Sequence, residues 1–491
     1  MRWTLALFCG LAYSLAVPPA LTAPGGSQQQ ILAASPPKQD DHGRPFYVRE
    51  QSDDVCRAGG RHYTGKVDVS SDKSLFFWFF ESRRDPLSDP VIVWLNGGPG
   101  GSSMYGLFKE IGACQMNEFD NDTVYNEHSW ANFGNVLFID QPAGVGFSSI
   151  KNGTVGGPDN NREAAQDFST FLDTFFTSVF PEYSGLPLHI AGESFGGKYV
   201  PGFAHYLATA PGAFSQPIQS IVLVDAAVDG VTSGVGGYYD HFCGVDEHGQ
   251  RNKPGGFNES TCRAMEEDLP ECERLADLCR GTYDPNVCGL AALWCAEHVG
   301  KWLYDEVVPG GRNPYDDRRT CKEPPVCDDF TDGGYSAYLN TSRVKRALGI
   351  SEDFPFQGIN FDLNDRWAAS GDMFVPTTRE VSYILDRTST RILVLNGDND
   401  SIINTEGQKR TWEHMPWSRQ ALYRISKWVD WEWPDVAGEL TLGGQIKTAD
   451  KLSFATILEA GHASPGDQKA AVAFLLECWT SGANRDSRCP L

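Results

Sequence analysis

A single serine at a tight turn constrains this chain more than any other feature. Residues 188–191 form an apolar run, followed by Gly-Glu-Ser-Phe-Gly-Gly, with Ser194 midway between Gly192 and Gly196. The pattern predicts a strand that ends in a sharp turn and continues as a helix. Glycines beside the serine remove side chains that such a turn would crowd. We therefore expect the Ser194 hydroxyl to stand clear of a sheet edge, where other groups can reach it.

The motif resembles the Gly-x-Ser-x-Gly nucleophile elbow of α/β-hydrolases. Short glycine motifs also arise by chance in a chain with 51 glycines. An ordinary Gly-Ser turn is therefore the alternative, and the two interpretations are separated by whether the chain supplies the rest of a hydrolase site.

Short apolar runs alternate with helical patterns along most of the chain. Predicted strands occupy residues 75–80, 91–95, 135–139, 188–191, 220–224, 391–395 and 452–457, and predicted helices occupy residues 163–180, 198–207 and 468–479. This alternation predicts a mainly parallel central sheet with helices on both faces. With the resemblance of the Ser194 turn to the nucleophile elbow, it implies an α/β-hydrolase fold. We assign the domain to residues 46–491, with a disulfide-stapled cap insertion at about residues 235–330, where eight cysteines interrupt the alternation.

The N-terminus has the pattern of a secretory signal. Arg2 precedes a short apolar run, and small residues follow, so we expect a signal peptide at residues 1–23 and a flexible segment at residues 24–45. Of the 13 cysteines, all except Cys9 would remain, an even number that suits an oxidising compartment. The protein is expected to be secreted, with a vacuole or lysosome-like compartment as the alternative.

Five Asn-x-Ser/Thr sequences are present. We expect glycans on Asn121, Asn152, Asn258 and Asn340. Asn399 lies beside candidate active-site residues, so we expect it to remain unmodified.

Charge and composition exclude several classes of partner. The formal net charge is −23 and the pI about 4.8, whereas nucleic acids and anionic membranes are bound by basic surfaces. No stretch after the signal is long and apolar enough to span a membrane. The cysteines lack a Cys-x-x-Cys pair and are irregularly spaced, which argues against a metal site. No cofactor is expected.

A serine nucleophile requires a base and a group that orients the base. In α/β-hydrolases these follow in the order Ser, Asp, His, each after a strand. Two later predicted strands end at Asp400 and His462 in that order, so His462 is the candidate base and Asp400 the candidate orienting residue. Asp398, two residues away, is the rival for the second role, and a lone loop histidine could also be an ordinary surface residue.

The acyl intermediate also needs an oxyanion hole. One donor in this fold is the backbone N–H after the nucleophile, which here belongs to Phe195. The other comes from a glycine-rich loop after an earlier strand, and Gly98 in Asn-Gly-Gly-Pro-Gly-Gly fits that position. A plain turn is the alternative.

Taken together, the motifs resemble the serine carboxypeptidase family, most closely its carboxypeptidase Y group. They are Trp94-Leu-Asn-Gly-Gly-Pro-Gly, Asp140-Gln-Pro-Ala-Gly-Val-Gly-Phe-Ser, Gly192-Glu-Ser-Phe-Gly, Asn313-Pro-Tyr-Asp, Gly397-Asp-Asn-Asp and Ala460-Gly-His. The likeness covers about residues 46–480. It implies the removal of single residues from peptide C-termini, mostly at acid pH.

The resemblance also implies how a free C-terminus is held. Asn96, Glu110 and Glu193 match the residues that bind the substrate's terminal carboxylate, and Trp94 matches the tryptophan that orients them. Two neighbouring carboxyl groups share a proton, because like charges raise one pKa. A protonated carboxyl can then donate to the peptide carboxylate at low pH, and we expect KM to rise as pH rises.

Disulfide pairing is implied by the resemblance and not by spacing. The implied pairs are Cys243–Cys262, Cys272–Cys295, Cys279–Cys288 and Cys321–Cys327. Cys56, Cys114, Cys478 and Cys489 remain open, although proximity makes Cys478–Cys489 plausible.

Several positions depart from the family pattern. Gly101 and Ile359 replace two cysteines that pair in the family, and Ile403 replaces a free cysteine. The family's Met-Val-Pro after the histidine is Ala463-Ser-Pro here, which suggests a larger or more polar pocket. Lys109 replaces an aromatic pocket residue, which favours acidic C-terminal residues unless Lys109 points to solvent.

A second segment departs without an evident consequence. The family's Gly-Asn-Gly-x-x-Asp-Pro reads Val-Asp-Ala-Ala-Val-Asp-Gly at residues 224–230. The leading hypothesis remains a serine carboxypeptidase that acts on peptide or protein C-termini as a monomer or homodimer. A related acyltransferase and a catalytically silent binding protein are the alternatives.

Overall fold

The computed structural model describes residues 37–151, 157–245, 253, 256–324, 326–327, 334–435, 437–481 and 489–490. The expected signal peptide, residues 24–36 of the expected flexible segment, and Asn152 lie outside the described residues.

Thirteen of the fifteen described strands form one large sheet, and the other two, β6 and β7, form a separate hairpin. The strands are β1 Lys38–Gln39, β2 Pro45–Glu50, β3 His62–Asp68, β4 Lys73–Phe80, β5 Val91–Leu95, β6 Cys114–Met116, β7 Thr123–Tyr125, β8 Asn135–Asp140, β9 Ser149–Ile150, β10 Leu188–Glu193, β11 Ile218–Val224, β12 Arg391–Gly397, β13 Val429–Pro434, β14 Leu440–Ala449 and β15 Leu452–Ile457.

The centre of the large sheet is parallel. In the order β8-β5-β10-β11-β12-β15, each of these six strands pairs in parallel with its neighbour. Antiparallel strands extend the sheet at both edges, β1 to β4 beside β8 and β14 and β13 beside β15. The carboxyl ends of the six central strands therefore meet along one edge, where α/β proteins place their sites.

The helices, by contrast, come mostly from the connections between strands. The α-helices are Asn161–Thr174, Gly196–Thr209, Gly230–Ser233, Tyr238–Phe242, Glu259–Thr282, Pro285–Cys295, Lys301–Tyr304, Gly334–Leu339, Ser342–Leu348, Phe361–Ser370, Thr378–Arg387, Thr405–His414, Gln420–Ile425, Ser464–Asp467 and Lys469–Ser481, with π-helical turns at Gly106–Glu110, Phe175–Val179 and Ala296–Gly300.

The two faces of the sheet bury separate cores. Along β5, Val91, Val93 and Leu95 enter one apolar cluster, whereas Ile92 and Trp94 enter the other. This is the two-residue period of a strand covered on both faces. The helices Asn161–Thr174 and Gly196–Thr209 cover the first face and the helix Lys469–Ser481 covers the second. The predicted mainly parallel sheet with helices on both faces is confirmed.

The expectation of a flexible segment fails for residues 37–45. Lys38–Gln39 pairs with β2 and extends the sheet at its edge. The buried Asp40 carboxyl accepts hydrogen bonds from Arg44 and from the backbone N–H of His42, and it accepts one from Thr174 Oγ1 at 2.8 Å. These polar contacts order a segment whose Pro- and Gln-rich composition suggested none.

Between β11 and β12 lies the region for which the sequence predicts a cap insertion. Its long helices, Glu259–Thr282 and Pro285–Cys295, are joined by Cys272–Cys295 and Cys279–Cys288. Residues around them form an apolar cluster separate from both faces of the sheet. Disulfides compensate for a small core by restricting the unfolded chain.

Candidate active site

Ser194 occupies the turn directly after β10. Its φ of 58° lies in the left-handed region, which a non-glycine residue rarely adopts. A Cβ at Gly192 would lie 2.6 Å from Val200 Cγ2, so this position must lack a side chain. A Cβ at Gly196 would meet nothing closer than 3.5 Å, whereas one at Gly197 would lie 2.6 Å from the Ala227 nitrogen. The expected requirement for glycine therefore falls on residues 192 and 197, not on 196.

Asp400 and His462 meet at the carboxyl ends of β12 and β15. His462 Nδ1 lies 2.7 Å from Asp400 Oδ2, and both side chains are buried. The other Asp400 oxygen accepts the Ile403 backbone N–H at 3.0 Å. Burial raises the pKa of Asp400, and the neighbouring His462 opposes that rise.

The rival carboxylate is placed elsewhere. Asp398 has no hydrogen bond to His462 among the described residues, and burial raises its pKa to about 6. His462 itself is held by its backbone N–H, which donates to the Tyr315 carbonyl at 2.7 Å, and its ring packs against the ring of Tyr315. The geometry thus favours Asp400 as the orienting group.

A single cavity of about 100 Å³ is bordered by the candidate nucleophile, the candidate base and the expected oxyanion donors. Its wall includes Ser194, His462, Gly98, Phe195, Asn96 and Glu193. The loop after β5 and the loop after β15 are far from β10 in sequence. Both of them nevertheless border this cavity beside Ser194.

The glycine-rich loop lies directly on the turn of Ser194. A Cβ at Gly97 would lie 2.4 Å from the Phe195 nitrogen, so only glycine allows this approach. Within the described part of the chain, the backbone N–H groups of Gly98 and Phe195 have no protein acceptor. Both residues border the cavity, which is the arrangement an oxyanion hole requires.

Asp140, which the sequence analysis quoted in a family motif without giving it a role, holds this loop in place. The buried Asp140 accepts hydrogen bonds from Ser102 Oγ at 2.6 Å, from Ser103 N at 3.1 Å and from Phe147 N at 2.8 Å. Burial raises the pKa of Asp140 to about 6. Asp140 lies at the end of a predicted apolar strand. That position could have indicated its contact with the glycine-rich loop, because the loops after parallel strands lie at the same edge of a sheet.

Hydrogen bonds link three of the four proposed carboxylate-binding residues, Trp94, Asn96 and Glu193. The Trp94 indole N–H donates to Asn96 Oδ1 at 2.8 Å, and Asn96 Nδ2 donates to Glu193 Oε1 at 3.1 Å. The Gly106 backbone N–H also donates to Asn96 Oδ1, and a Cβ there would lie 2.1 Å from the Trp94 indole nitrogen. The asparagine amide is thus fixed with its NH₂ toward Glu193.

Glu110 and Glu193 are buried neighbours. Glu110 ends the π-helical turn Gly106–Glu110, and the two side chains are 2 % exposed. Among the described residues, neither Glu110 carboxyl oxygen nor Glu193 Oε2 has a hydrogen-bond partner. Burial raises the pKa of Glu110 to about 7, opposed by Glu193 and Asn96. Burial and the charge of Glu110 raise the pKa of Glu193 well above its ordinary value.

Two residues expected in the substrate pocket do not border the cavity. Lys109 is a quarter exposed, and its Nζ lies 3.5 Å from Asp120 Oδ1. Ala463 is partly buried against the apolar cluster on the Lys469–Ser481 face of the sheet.

Backbone pairing takes the place of the missing family disulfide. Gly101 and Ile359 form an isolated antiparallel bridge. Ser102 N donates to Gly358 O at 2.9 Å, and Asn360 N donates to Gly100 O at 2.9 Å. Ile359 and Ile403 border the catalytic cavity, so two positions with family cysteines carry apolar side chains here.

Six disulfides are present in the described residues. They are Cys56–Cys114, Cys243–Cys262, Cys272–Cys295, Cys279–Cys288, Cys321–Cys327 and Cys478–Cys489. The four implied pairs and the plausible Cys478–Cys489 pair all occur. Cys56–Cys114 could not be chosen from the sequence because 58 residues separate its halves.

Three of the expected glycan acceptors can be located. Asn121 and Asn258 are exposed, and Asn258 also caps the helix Glu259–Thr282 through its side-chain oxygen. Asn340 is only partly exposed, and its Nδ2 donates to the carbonyls of Ser336 and Phe356. An amide nitrogen engaged in this way is a poorer acceptor than the other two.

Within the described ranges, no three His, Cys, Asp or Glu side chains are grouped as metal ligands would be. A search of the same residues finds no helix with the length and apolar character of a membrane span.

Comparison with known proteins gives a consistent picture. A family model described as serine carboxypeptidase matches residues 54–482. The chain belongs to the serine carboxypeptidase family. Carboxypeptidase Y homolog A from Phaeosphaeria nodorum is 34% identical over 423 residues, which cover 86% of this chain and 74% of that protein. The Aspergillus fumigatus protein of the same name is 34% identical over 427 residues, with 86% and 75% covered.

A solved structure supports the fold. The crystal structure of Kex1(Δ)p, a prohormone-processing carboxypeptidase from Saccharomyces cerevisiae, matches with a TM-score of 0.72 and 20% identity. The match covers 90% of this chain and 97% of that chain. It confirms the predicted α/β-hydrolase fold, and the family match confirms the resemblance read from the motifs.

Proposed function

We propose that this protein is a serine carboxypeptidase that releases single C-terminal residues from peptides and proteins at acid pH through an acyl-enzyme on Ser194. Membership of the family makes it a hydrolase of the serine carboxypeptidase type. The observation that carries the specific proposal is the buried group of Asn96, Glu110 and Glu193, since Asn96 and Glu193 border the same cavity as Ser194.

In the proposed reaction, Ser194 Oγ attacks the last peptide carbonyl carbon while His462 takes the hydroxyl proton. The oxyanion accepts hydrogen bonds from the N–H groups of Gly98 and Phe195. His462 returns the proton to the departing amine, so the C-terminal residue leaves as a free amino acid. Water then attacks the ester carbonyl while His462 takes a proton from it. The bond to Ser194 Oγ breaks as His462 returns the proton to that oxygen, and the shortened peptide leaves as an acid. Asp400 stabilises the imidazolium in both halves.

Binding of the substrate's terminal carboxylate would place the last peptide bond at Ser194, so that single residues are released. A shared proton on the pair of Glu110 and Glu193 allows one carboxyl to donate a hydrogen bond to that carboxylate. Asn96 Nδ2 is held toward the same place. When both glutamates are ionised they repel the substrate, and this is why we propose an acidic working range.

The six disulfides support passage through an oxidising compartment. We therefore propose that the protein enters the secretory pathway, for delivery outside the cell or to an acidic organelle.

The experiment compares peptides that end in a free carboxylate with the same peptides ending in a carboxamide, at pH 4 to 7, with Ser194→Ala as control. Release of one residue from the free acids only, and loss of release in the variant, is the expected result. Release from the amides at the same rate would reject the carboxylate-binding role. Transfer of the acyl group to an added alcohol in preference to water would favour the acyltransferase alternative.

A fluorophosphonate probe tests the nucleophile independently of any substrate. Wild-type protein is labelled and Ser194→Ala is not. An unlabelled wild type would favour the silent binding protein.

A further inference from the structure

Two positions that depart from the family pattern meet beside the triad. Asp225 follows β11 and Ser464 follows His462 by two residues, and both side chains are fully buried. Ser464 Oγ donates to Asp225 Oδ2 at 2.5 Å. The family pattern has Asn and Val at these two places, so a polar pair has replaced an amide and an apolar side chain.

The second Asp225 oxygen reaches the other triad loop. Asp225 Oδ1 accepts the Gly397 backbone N–H at 2.7 Å, and Gly397 O accepts the backbone N–H of Asp400. Asp225 N donates to Leu395 O at 2.8 Å. One carboxyl therefore joins the end of β11, the end of β12 and the loop that carries His462.

The backbone at Asp225 adopts a conformation that glycine, asparagine and aspartate occupy more readily than other residues do. Its φ of 45° lies in the left-handed region, where a non-glycine residue is uncommon. A conformation of this kind persists when the surrounding contacts determine it, and such residues cluster at functional sites. The three hydrogen bonds of Asp225 supply those contacts.

We propose that Asp225 is a positioning residue of the triad, whose carboxyl, held between Gly397 N–H and Ser464 Oγ–H, sets the placement of the Asp400 loop relative to the His462 loop. It acts through these loops and not on substrate. The proposal rests on the proposed serine hydrolase function of Ser194.

The charges around Asp225 are compatible with this role. Asp400 faces it from the β12 loop and Glu193 from the end of β10. Burial and the Asp400 charge raise the pKa of Asp225 well above its ordinary value, and the hydrogen bonds from Ser464 and Gly397 oppose that rise. These donors offset part of the cost of a carboxyl buried beside Asp400.

The test disrupts the hydrogen bond between Ser464 and Asp225 by changing each partner in turn. Ser464→Ala deletes only the hydroxyl, and Asp225→Asn keeps the shape of the side chain but replaces one acceptor oxygen with an NH₂ donor. Asp225→Asn/Ser464→Val restores the residue pair of the family pattern. Ser82→Ala and Asp89→Asn are matched controls, because Ser82 Oγ donates to the buried Asp89 Oδ2 at 2.6 Å.

The control pair lies at the opposite end of the sheet. Ser82 N donates to Asn135 Oδ1, and Asn135 begins β8, so the pair sits at the amino ends of the parallel strands. Both pairs bury a Ser–Asp hydrogen bond, and only one of them touches the triad loops.

Three quantities are measured for each variant: kcat and KM on a free-acid peptide, the rate of fluorophosphonate labelling, and Tm. We expect Ser464→Ala to lower kcat and the labelling rate together by about tenfold, as a misplaced base does, with KM within about twofold. The two single substitutions should not be additive, and the family-pattern pair should recover part of kcat. The control variants should lower Tm alone.

Variants at 225 and 464 that lower Tm like the controls, with kcat and labelling rate unchanged, would overturn the proposal. Additive losses in an Asp225→Asn/Ser464→Ala variant would also overturn it, because two ends of one contact cannot act independently. Failure of the underlying function is distinct from both, since it appears as a wild-type protein that is neither labelled nor active.

Discussion

Replacing Glu110 with glutamine should make the protein more stable at neutral pH. Its carboxyl is buried, and its pKa rises from 4.5 to about 7. The folded protein then binds the proton more tightly than the unfolded chain does, so the free energy of unfolding falls as pH rises from about 4.5 through 7. Above that range, a pKa shift of this size lowers the free energy of unfolding by about 3 kcal/mol. Glutamine does not ionise, so Glu110→Gln lacks this loss.

The assay is urea unfolding of wild type and Glu110→Gln between pH 4.5 and 8.5. The difference in unfolding free energy should favour the variant and should grow with pH toward about 3 kcal/mol. Asp89→Asn serves as a control of opposite sign. Although burial acts to raise the Asp89 pKa, Arg84 and Ser82 hold it below its ordinary value, so this variant should lose most stability at neutral pH.

Substrate binding provides the second measurement on Glu110→Gln. At pH 4.5 the glutamine amide can donate as the protonated carboxyl does, so KM should stay within a few-fold of wild type. At pH 8 the wild-type KM should rise more than that of the variant, because one repelling charge has been removed. An unfolding free-energy difference that does not vary with pH, together with parallel KM profiles, would refute the shared-proton argument.

Three further predictions follow from the site. Because Ile403 has no thiol and every cysteine after Cys9 is in a disulfide, organomercurials should leave peptidase activity unchanged, and inhibition would contradict this. Gly197→Ala should lower the free energy of unfolding by about 1–3 kcal/mol through overpacking, whereas Gly196→Ala should be tolerated, and equal losses of Tm would count against the steric argument. If Lys109 meets the departing residue, Lys109→Ala should lower kcat/KM for peptides ending in Glu more than for those ending in Leu. An unchanged ratio would assign Lys109 to its surface contact with Asp120 alone.

The parts of the site that could be predicted are those encoded locally. Apolar runs of strand length, each followed by Ser194, Asp400 or His462, lie in hydrolase order, and local periodicity is sufficient to place them after strands. Parallel pairing then brings the strand ends together without any need to know side-chain contacts. The assignment of the carboxylate-binding residues depended on resemblance, because nothing in the residues near Glu110 predicts that it approaches Glu193.

What could not be predicted depends on contacts between distant segments. The bridge from Asp225 to Ser464 spans 239 residues, and Asp140 reaches Ser102 across 38. The same holds for the Cys56–Cys114 disulfide and for the edge strand at Lys38–Gln39, which a polar turn around Asp40 stabilises. Composition reports the average behaviour of a segment, and these features depend on single contacts that composition does not contain.

The surroundings of His462 indicate why the proposed acid range and the proposed exopeptidase register belong together. Asp400, Asp225 and Glu193 are buried within one region, and Glu110 adjoins it, whereas His462 is the one basic side chain among the described residues that border the catalytic cavity. Asp400 is already hydrogen-bonded to His462 and balances the charge that the imidazole gains when it takes the Ser194 proton. No cation of the described cavity lining remains for Glu110 and Glu193, and burial raises the pKa of both. A proton retained by that pair is a donor available to an incoming carboxylate. A substrate that brings its own negative charge is tolerated only while that proton remains, so the upper pH limit of binding should follow the glutamate pair rather than the histidine base.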